Sequence, residues 1–194
     1  MKPKLIIWMG TLSILLTSAV LGQSTFQFQN LVPPVLDAAV FDAYGNPLAG
    51  ANYAAELWGG AMSNSLSPTL NLDSGQRLIL PFGEGLAAGY FGTTASMAVW
   101  EVPGNGLAWL QVRAWDTRLG ATYEDVDSLG LGGYGESLLF QARGGCITCM
   151  PPVASQPLIG LQSFSLLPVI PEPSTWALFT LGAGAIWFAA RRRR

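Results

Sequence analysis

The chain has 194 residues, half of them hydrophobic and only 11% charged, with 23 glycines and 13 prolines. Away from its two ends, four arginines face all twelve acidic residues, so the stretch 23–173 carries a net charge of −8. A surface of that sign repels phosphate and excludes nucleic acid as a partner. The length leaves room for one core, and the glycine and proline content favours many turns between short strands, which predicts an all-β domain.

The N-terminus begins with Lys2 and Lys4, continues with the apolar run LIIWMGTLSILLTSAVL (residues 5–21) and closes on the small residue Gly22 before polar text. That layout predicts a secretory signal peptide over 1–22, removed by signal peptidase to leave Gln23 first; an uncleaved anchor is the alternative.

Strand-like alternation starts at once in TFQFQN, where Phe26 and Phe28 point one way and Gln27 and Gln29 the other. Further candidate strands are 38–42, 52–58, 76–82, 95–102, 107–115, 137–141 and 161–166, with turn-rich text between them. About eight short strands fit a single β-sandwich over residues 23–165. Pro103-Gly104-Asn105-Gly106 supplies the backbone angles of a tight reversal and predicts a hairpin between the two central strands. In the second of these, Leu110, Val112 and Ala114 form the core face, and Trp109, Gln111, Arg113 and Trp115 the opposite one. In the stretch 40–58, VFDAYGNPLAGANYAAELW, the residues Asp42, Gly45, Pro47, Leu48, Gly50 and Ala51 resemble the opening of prealbumin-like or carboxypeptidase-regulatory-like β-sandwich modules.

Histidine is absent, which removes the usual base of serine and cysteine nucleophiles and the commonest zinc ligand; no catalytic residue, metal or cofactor is expected. Twelve carboxylates leave a carboxylate-dependent glycosidase as the remaining enzymatic alternative. Trp109, Arg113 and Trp115 on one strand face could form a platform that stacks on sugar rings, which predicts a carbohydrate-binding module; ordinary packing beneath a loop is the bland reading. DVDSLGLGGYGE (125–136) nearly spells a calcium loop, but Leu129 stands where an oxygen ligand belongs, and a helical turn over 122–128 ending at glycine explains the text equally. Its Gly130, Gly132 and Gly135 match a dinucleotide fingerprint by letters alone, without the βαβ context that fingerprint needs. Cys146 and Cys149 lie in a loop over 144–157 with prolines 151 and 152 following, so a local disulfide is favoured over a redox motif; free or intermolecular thiols are the alternatives.

Residues 166–173 read as a tether, leading to 17 uncharged residues at 174–190 that as a helix would span about 26 Å, close to the hydrocarbon core of about 30 Å. Arg191, Arg192, Arg193 and Arg194 would stop transfer and stay cytoplasmic, with Trp176 and Trp187 near the two interfaces. Pro171-Glu172-Pro173, this apolar segment and the terminal arginines, in that order over the last 26 residues, resemble the sorting signal of the PEP-CTERM family. That resemblance implies cleavage near Pro-Glu-Pro by an exosortase, a membrane-embedded cysteine protease or transpeptidase of Gram-negative bacteria that make extracellular polysaccharide. The two prolines cannot continue a helix and hold the peptide extended, as a protease needs. The expected protein is therefore noncatalytic, exported, briefly anchored in the inner membrane, and then released to the cell surface or extracellular matrix, with matrix polysaccharide as a further partner.

Overall fold

Alternation at the start of the described chain, residues 23–170 of a computed structural model, does what its period demands. Strand β1 (Gln23–Gln29) buries Phe26 and Phe28 completely and leaves Gln27 and Gln29 half-buried. Next come β2 (Leu31–Val32), β3 (Leu36–Asp37), β4 (Val40–Phe41), β5 (Tyr53–Met62), β6 (Ser65–Pro68), β7 (Leu70–Asn71) and β8 (Ile79–Pro81). The two long strands β9 (Gly92–Pro103) and β10 (Leu107–Asp116) precede helix α1 (Tyr123–Leu129), and β11 (Tyr134–Glu136), β12 (Phe140–Arg143) and β13 (Phe164–Ser165) follow it. The domain is all-β in character, as composition predicts.

Two sheets carry the core. One runs β1-β9-β7; the other is centred on the antiparallel pair β10 and β5, with β11 and β12 along the outer edge of β10 and with β6 and β8 along the outer edge of β5. Inward residues of the first sheet (Phe26, Phe28, Met97, Val99) and of the second (Ala55, Leu57, Leu110, Val112) belong to one buried cluster. Burying a leucine- or phenylalanine-sized side chain is worth about 1.5–3 kcal/mol, so this interior supplies most of the driving force. Several polar residues are buried beside it, Asn30 among them. Asn30 is fully buried, donates from Nδ2 to the carbonyls of Ala38 (2.8 Å) and Gly89 (2.9 Å), and accepts from the Phe91 N–H (2.7 Å), so both its amide nitrogen and its oxygen have partners.

The reversal at Pro103-Gly104-Asn105-Gly106 exists, with Gly106 N–H donating to Pro103 O (2.8 Å) and Asn105 at φ 62°. It does not make the expected hairpin. β9 pairs with β1 and β7, β10 pairs with β5, β11 and β12, and the turn carries the chain from one sheet to the other. The reason is burial: Met97, Val99 and Val102 on β9 and Ala108, Leu110 and Val112 on β10 are all apolar on the inward face, and only placement in opposed sheets covers both rows at once. The turn is fastened instead to 144–145, through Asn105 N–H to Gly145 O (3.3 Å) and Gly144 N–H to Gly106 O (3.0 Å). Of the strand expected over 137–141 only 140–141 form one, within β12, and β11 lies before it: between them the Ser137 hydroxyl accepts from the Val112 N–H (3.0 Å) in place of the Ser137 carbonyl, which interrupts the ladder.

Among the described residues no helix is long and apolar enough to cross a membrane. The signal peptide expected over 1–22, the sorting residues Pro171, Glu172 and Pro173, the membrane segment 174–190 and Arg191 to Arg194 lie outside the described residues.

Candidate functional site

The outward face of the β5/β10 sheet carries the buried Glu56 and the half-buried Arg113. Period-two alternation in YAAELW sends Ala55 and Leu57 to the core and leaves Glu56 and Trp58 outside; in β10 it does the same for Gln111, Arg113 and Trp115. The antiparallel register then sets Arg113 opposite Glu56 on one side and Glu136 on the other. Glu56 is nonetheless wholly buried, because Arg77 closes over it with two charge-assisted bonds, Nε to Oε1 and Nη2 to Oε2, both 2.6 Å, while Trp58 Nε1 donates to Oε2 at 3.0 Å. Arg77 also reaches Glu124 on α1 (3.1 Å). These hydrogen bonds to Glu56, first among the causes, hold the Arg77 guanidinium above its ordinary value.

Helix α1 forms here for local reasons. Thr122 and Asp125 make a reciprocal capping box, and Gly130 ends the helix at φ 65°. The stretch read as a near calcium loop is thus a capped helix followed by a turn, and Asp125 is committed to the Thr122 N–H (3.0 Å). Tyr123 and Val126 on the helix pack against Trp115, whose exposure is 0%.

Arg113 is clamped between two rings, 3.7 Å from the Trp58 ring centre and 4.9 Å from that of Tyr123. It donates from Nε to Gln111 Oε1 (3.1 Å) and lies 3.7 Å from Glu136 Oε2. Beside it opens a cavity of about 510 Å³ whose chemically active lining is Arg113, Tyr123, Asp127, Tyr134 and Glu136. Burial pushes the Tyr123 phenol up, and the Asp127 carboxylate beside Tyr134 pushes that phenol up as well, so both keep their protons at neutral pH. Two phenols, one guanidinium and two carboxylates present donors and acceptors beside aromatic faces, a set suited to a neutral polyhydroxylated ligand and poorly suited to an anion.

The three residues expected to form a sugar platform are not brought together as one. Trp115 is covered by α1 and is not available, and its Nε1 has no hydrogen-bond partner among the described residues. Trp109 is half-buried, two register positions beyond Gln111 and opposite Gly60 and Gln141. Only Arg113 faces the cavity. The aromatic partners it takes, Trp58 and Tyr123, come from another strand and from the helix; for Trp58, the alternation of 52–58 carried the signal, since the same period that puts Leu57 inside puts Trp58 beside Glu56. Among the described residues, no cluster of three or more Cys, Asp or Glu is placed to hold a metal ion. Cys146 and Cys149 are joined as a disulfide, pinned by the Cys146–Val153 backbone pair at 2.8 Å.

The tail is the second functional feature. Residues 166–170, expected as part of a tether, remain on the domain. β13 pairs in parallel with β4, Leu166 N–H donates to Phe41 O (2.9 Å), Leu167 exchanges bonds with Tyr134 O (2.8 Å) and Gly133 N–H (2.9 Å), and Ile170 N–H donates to Leu131 O (2.7 Å). The glycine-rich run beneath makes that contact: a Cβ at Gly135 would lie 2.6 Å from Ser165 O, and one at Gly132 would meet Pro168 O. The letters that match a dinucleotide fingerprint are a bed for the tail.

No curated protein and no solved structure matches this chain to a significant degree. Residues 169–194 match the family model of the PEP-CTERM protein-sorting motif, so the chain carries that signal beginning within its docked tail, and the motif implies an exported protein with an exosortase as its processing enzyme.

Proposed function

We propose that this protein is a noncatalytic component of the cell surface or extracellular matrix, exported through its N-terminal signal, held by residues 174–190 with the C-terminus cytoplasmic, and released by an exosortase cutting near Pro171-Glu172-Pro173. The observation that carries the reading is the sorting motif at 169–194 joined directly to an all-β domain. The absence of histidine supports the noncatalytic part, because general-base chemistry at neutral pH most often uses that residue. Intact-mass measurement of the chain expressed with and without an exosortase tests it. Loss of the C-terminal segment only in the presence of the enzyme is expected; identical masses would refute the processing step.

A second reading, binding of matrix polysaccharide, is supported by the cavity beside Arg113 rather than by the Trp109, Arg113 and Trp115 face. Glycan-array binding that disappears in Tyr134→Ala or Glu136→Ala but survives Trp109→Ala would favour it. The same cavity holds Asp127 and Glu136, so turnover of a polysaccharide that is lost in both Asp127→Asn and Glu136→Gln would instead make the protein a glycosidase.

A further inference from the structure

Where the tail leaves the domain decides how far the domain can stand from a membrane. Ile170 is the last described residue, and its N–H is bonded to Leu131. Four residue steps separate it from Ser174, where the uncharged segment begins. Those steps reach at most about 12–14 Å, the lower figure applying because two prolines favour the polyproline conformation. Roughly 5–7 Å of that reach lies within the headgroup layer on one side of a bilayer. What remains is about the length of one large side chain, so the domain has no slack with which to hang free.

The end of the domain at which this happens is apolar. Tyr44 is 84% exposed and Ile170 63%, and Leu129, Leu167 and Val169 are each about half exposed. Tyr44, Leu167 and Val169 line one shallow cavity, Ile170 is bonded to Leu131, and Leu129 ends α1 two residues earlier, so the five side chains share one end of the molecule. The carboxylates there are hydrogen-bonded within the domain: Asp42 accepts from the Tyr44 and Asn46 N–H groups (2.8 and 2.9 Å), Asp127 is bonded by Tyr134, and Asp116 is paired with Arg118, which remains 59% exposed and within reach of a lipid phosphate. The opposite end, with the 103–106 turn and the disulfide, lies a full β10 length away, ten residues or about 33 Å at about 3.3 Å per residue.

We propose that the tail-exit end of the domain, Tyr44, Leu129, Leu167, Val169 and Ile170, is a lipid-facing surface that rests on the outer leaflet while the C-terminal segment is attached. The inference deepens the proposed function and rests on its reading of 174–190 as membrane-embedded. An exposed tyrosine among aliphatic side chains matches what the interfacial zone of a bilayer favours. Cleavage at Pro-Glu-Pro then removes the tether, and the small apolar contact left behind is released.

The test places an environment-sensitive fluorophore on Tyr44→Cys in the full chain, reconstituted into phosphatidylcholine vesicles with a minority of phosphatidylglycerol; the two native cysteines are joined to each other and do not compete for label. Leu107→Cys, half exposed at the far end, is the control, and Val169→Cys is a second reporter should the first fail to fold. Expected are a several-fold lower acrylamide quenching constant at positions 44 and 169 than at 107, and quenching by bromine-labelled acyl chains at 44 and 169 only. Chain that does not float with vesicles overturns the anchor and this inference with it. Chain that floats while the labels at 44 and 169 are as accessible to acrylamide as that at 107 overturns the lipid-facing surface alone.

Discussion

Removing Arg77 should expose the cost of the carboxylate beneath it. Glu56 has no exposed surface, and two of its three side-chain hydrogen bonds come from Arg77, both at 2.6 Å. Arg77→Met leaves that charge with the Trp58 indole N–H as its remaining partner. Each charge-assisted bond contributes about 1.5–3 kcal/mol, and orphaning a buried charge costs about 3–5 kcal/mol. The Arg77 side chain is itself 35% exposed, so water can partly replace it, and we expect a loss of about 2–4 kcal/mol. Glu56→Gln keeps the shape and leaves Arg77 with Glu124, so about 1–2 kcal/mol is expected from the loss of charge assistance. The double variant Glu56→Leu with Arg77→Met removes both charges and fills the site with apolar atoms, which should recover most of the loss. Urea denaturation of residues 23–170 at neutral pH, with the Glu56→Leu single variant added to close the cycle, measures the coupling. An Arg77→Met variant within about 0.5 kcal/mol of the parent, or a double variant as unstable as the sum of the singles, would refute the argument that the uncompensated carboxylate is what destabilises.

Asp116 gives a pH dependence. Burial raises its pKa, but the hydrogen bonds from the Arg118 side chain and backbone outweigh it, so it sits below its ordinary 3.8. A depressed carboxylate contributes fully above its unfolded pKa and loses that contribution as pH falls through the folded one. Asp116→Asn should therefore flatten the acid limb of the stability curve below about pH 4 and leave its shape at pH 6–8 unchanged, as followed by thermal melts. Asn30→Ala strands the buried Ala38 carbonyl and the Phe91 N–H and leaves the Gly89 carbonyl with the Val40 N–H, and a loss of about 2–4 kcal/mol by denaturation is expected. Gly135→Ala presses a methyl against the tail backbone, which should raise hydrogen exchange at residues 166–170 while β5 and β10 keep their protection; unchanged exchange in the tail would count against the docking geometry. Replacing Cys146 and Cys149 together by serine should cost no more than about 2 kcal/mol, since the closed loop is short, and should leave the far end of β10 untouched in the same exchange experiment.

Much of the local order was legible along the chain. Phe26 and Phe28 announce an inward face by spacing alone, Leu110, Val112 and Ala114 announce another, and the helical turn before Gly130 follows from its flanking residues. The signals at the two ends are read from short contiguous runs of charge, apolar residues and proline, which need no fold to be recognised; the one at the C-terminus is the part that the family model matches. The candidate cavity was legible only in part. Arg113 was singled out, but with the neighbours of its own strand, Trp109 and Trp115, whereas its ring contacts are Trp58 and Tyr123, from segments 55 and 10 residues away.

That division has a physical cause. Side-chain period, turn chemistry and helix capping act over a few residues, so the order of residues by itself determines that strands form, which face of each is apolar and where the chain reverses. Which strands become partners depends on burying every apolar face at once, a condition on the whole chain. It turned the sequence 103–106 from a hairpin into a link between two sheets, placed α1 over Trp115, and drew the tail back onto β4 and the glycine run. Tertiary structure alone decided that Glu56 would be a buried charge and that the approach to the sorting motif would be hydrogen-bonded to the domain at one apolar end, because both depend on distances between residues far apart in the chain.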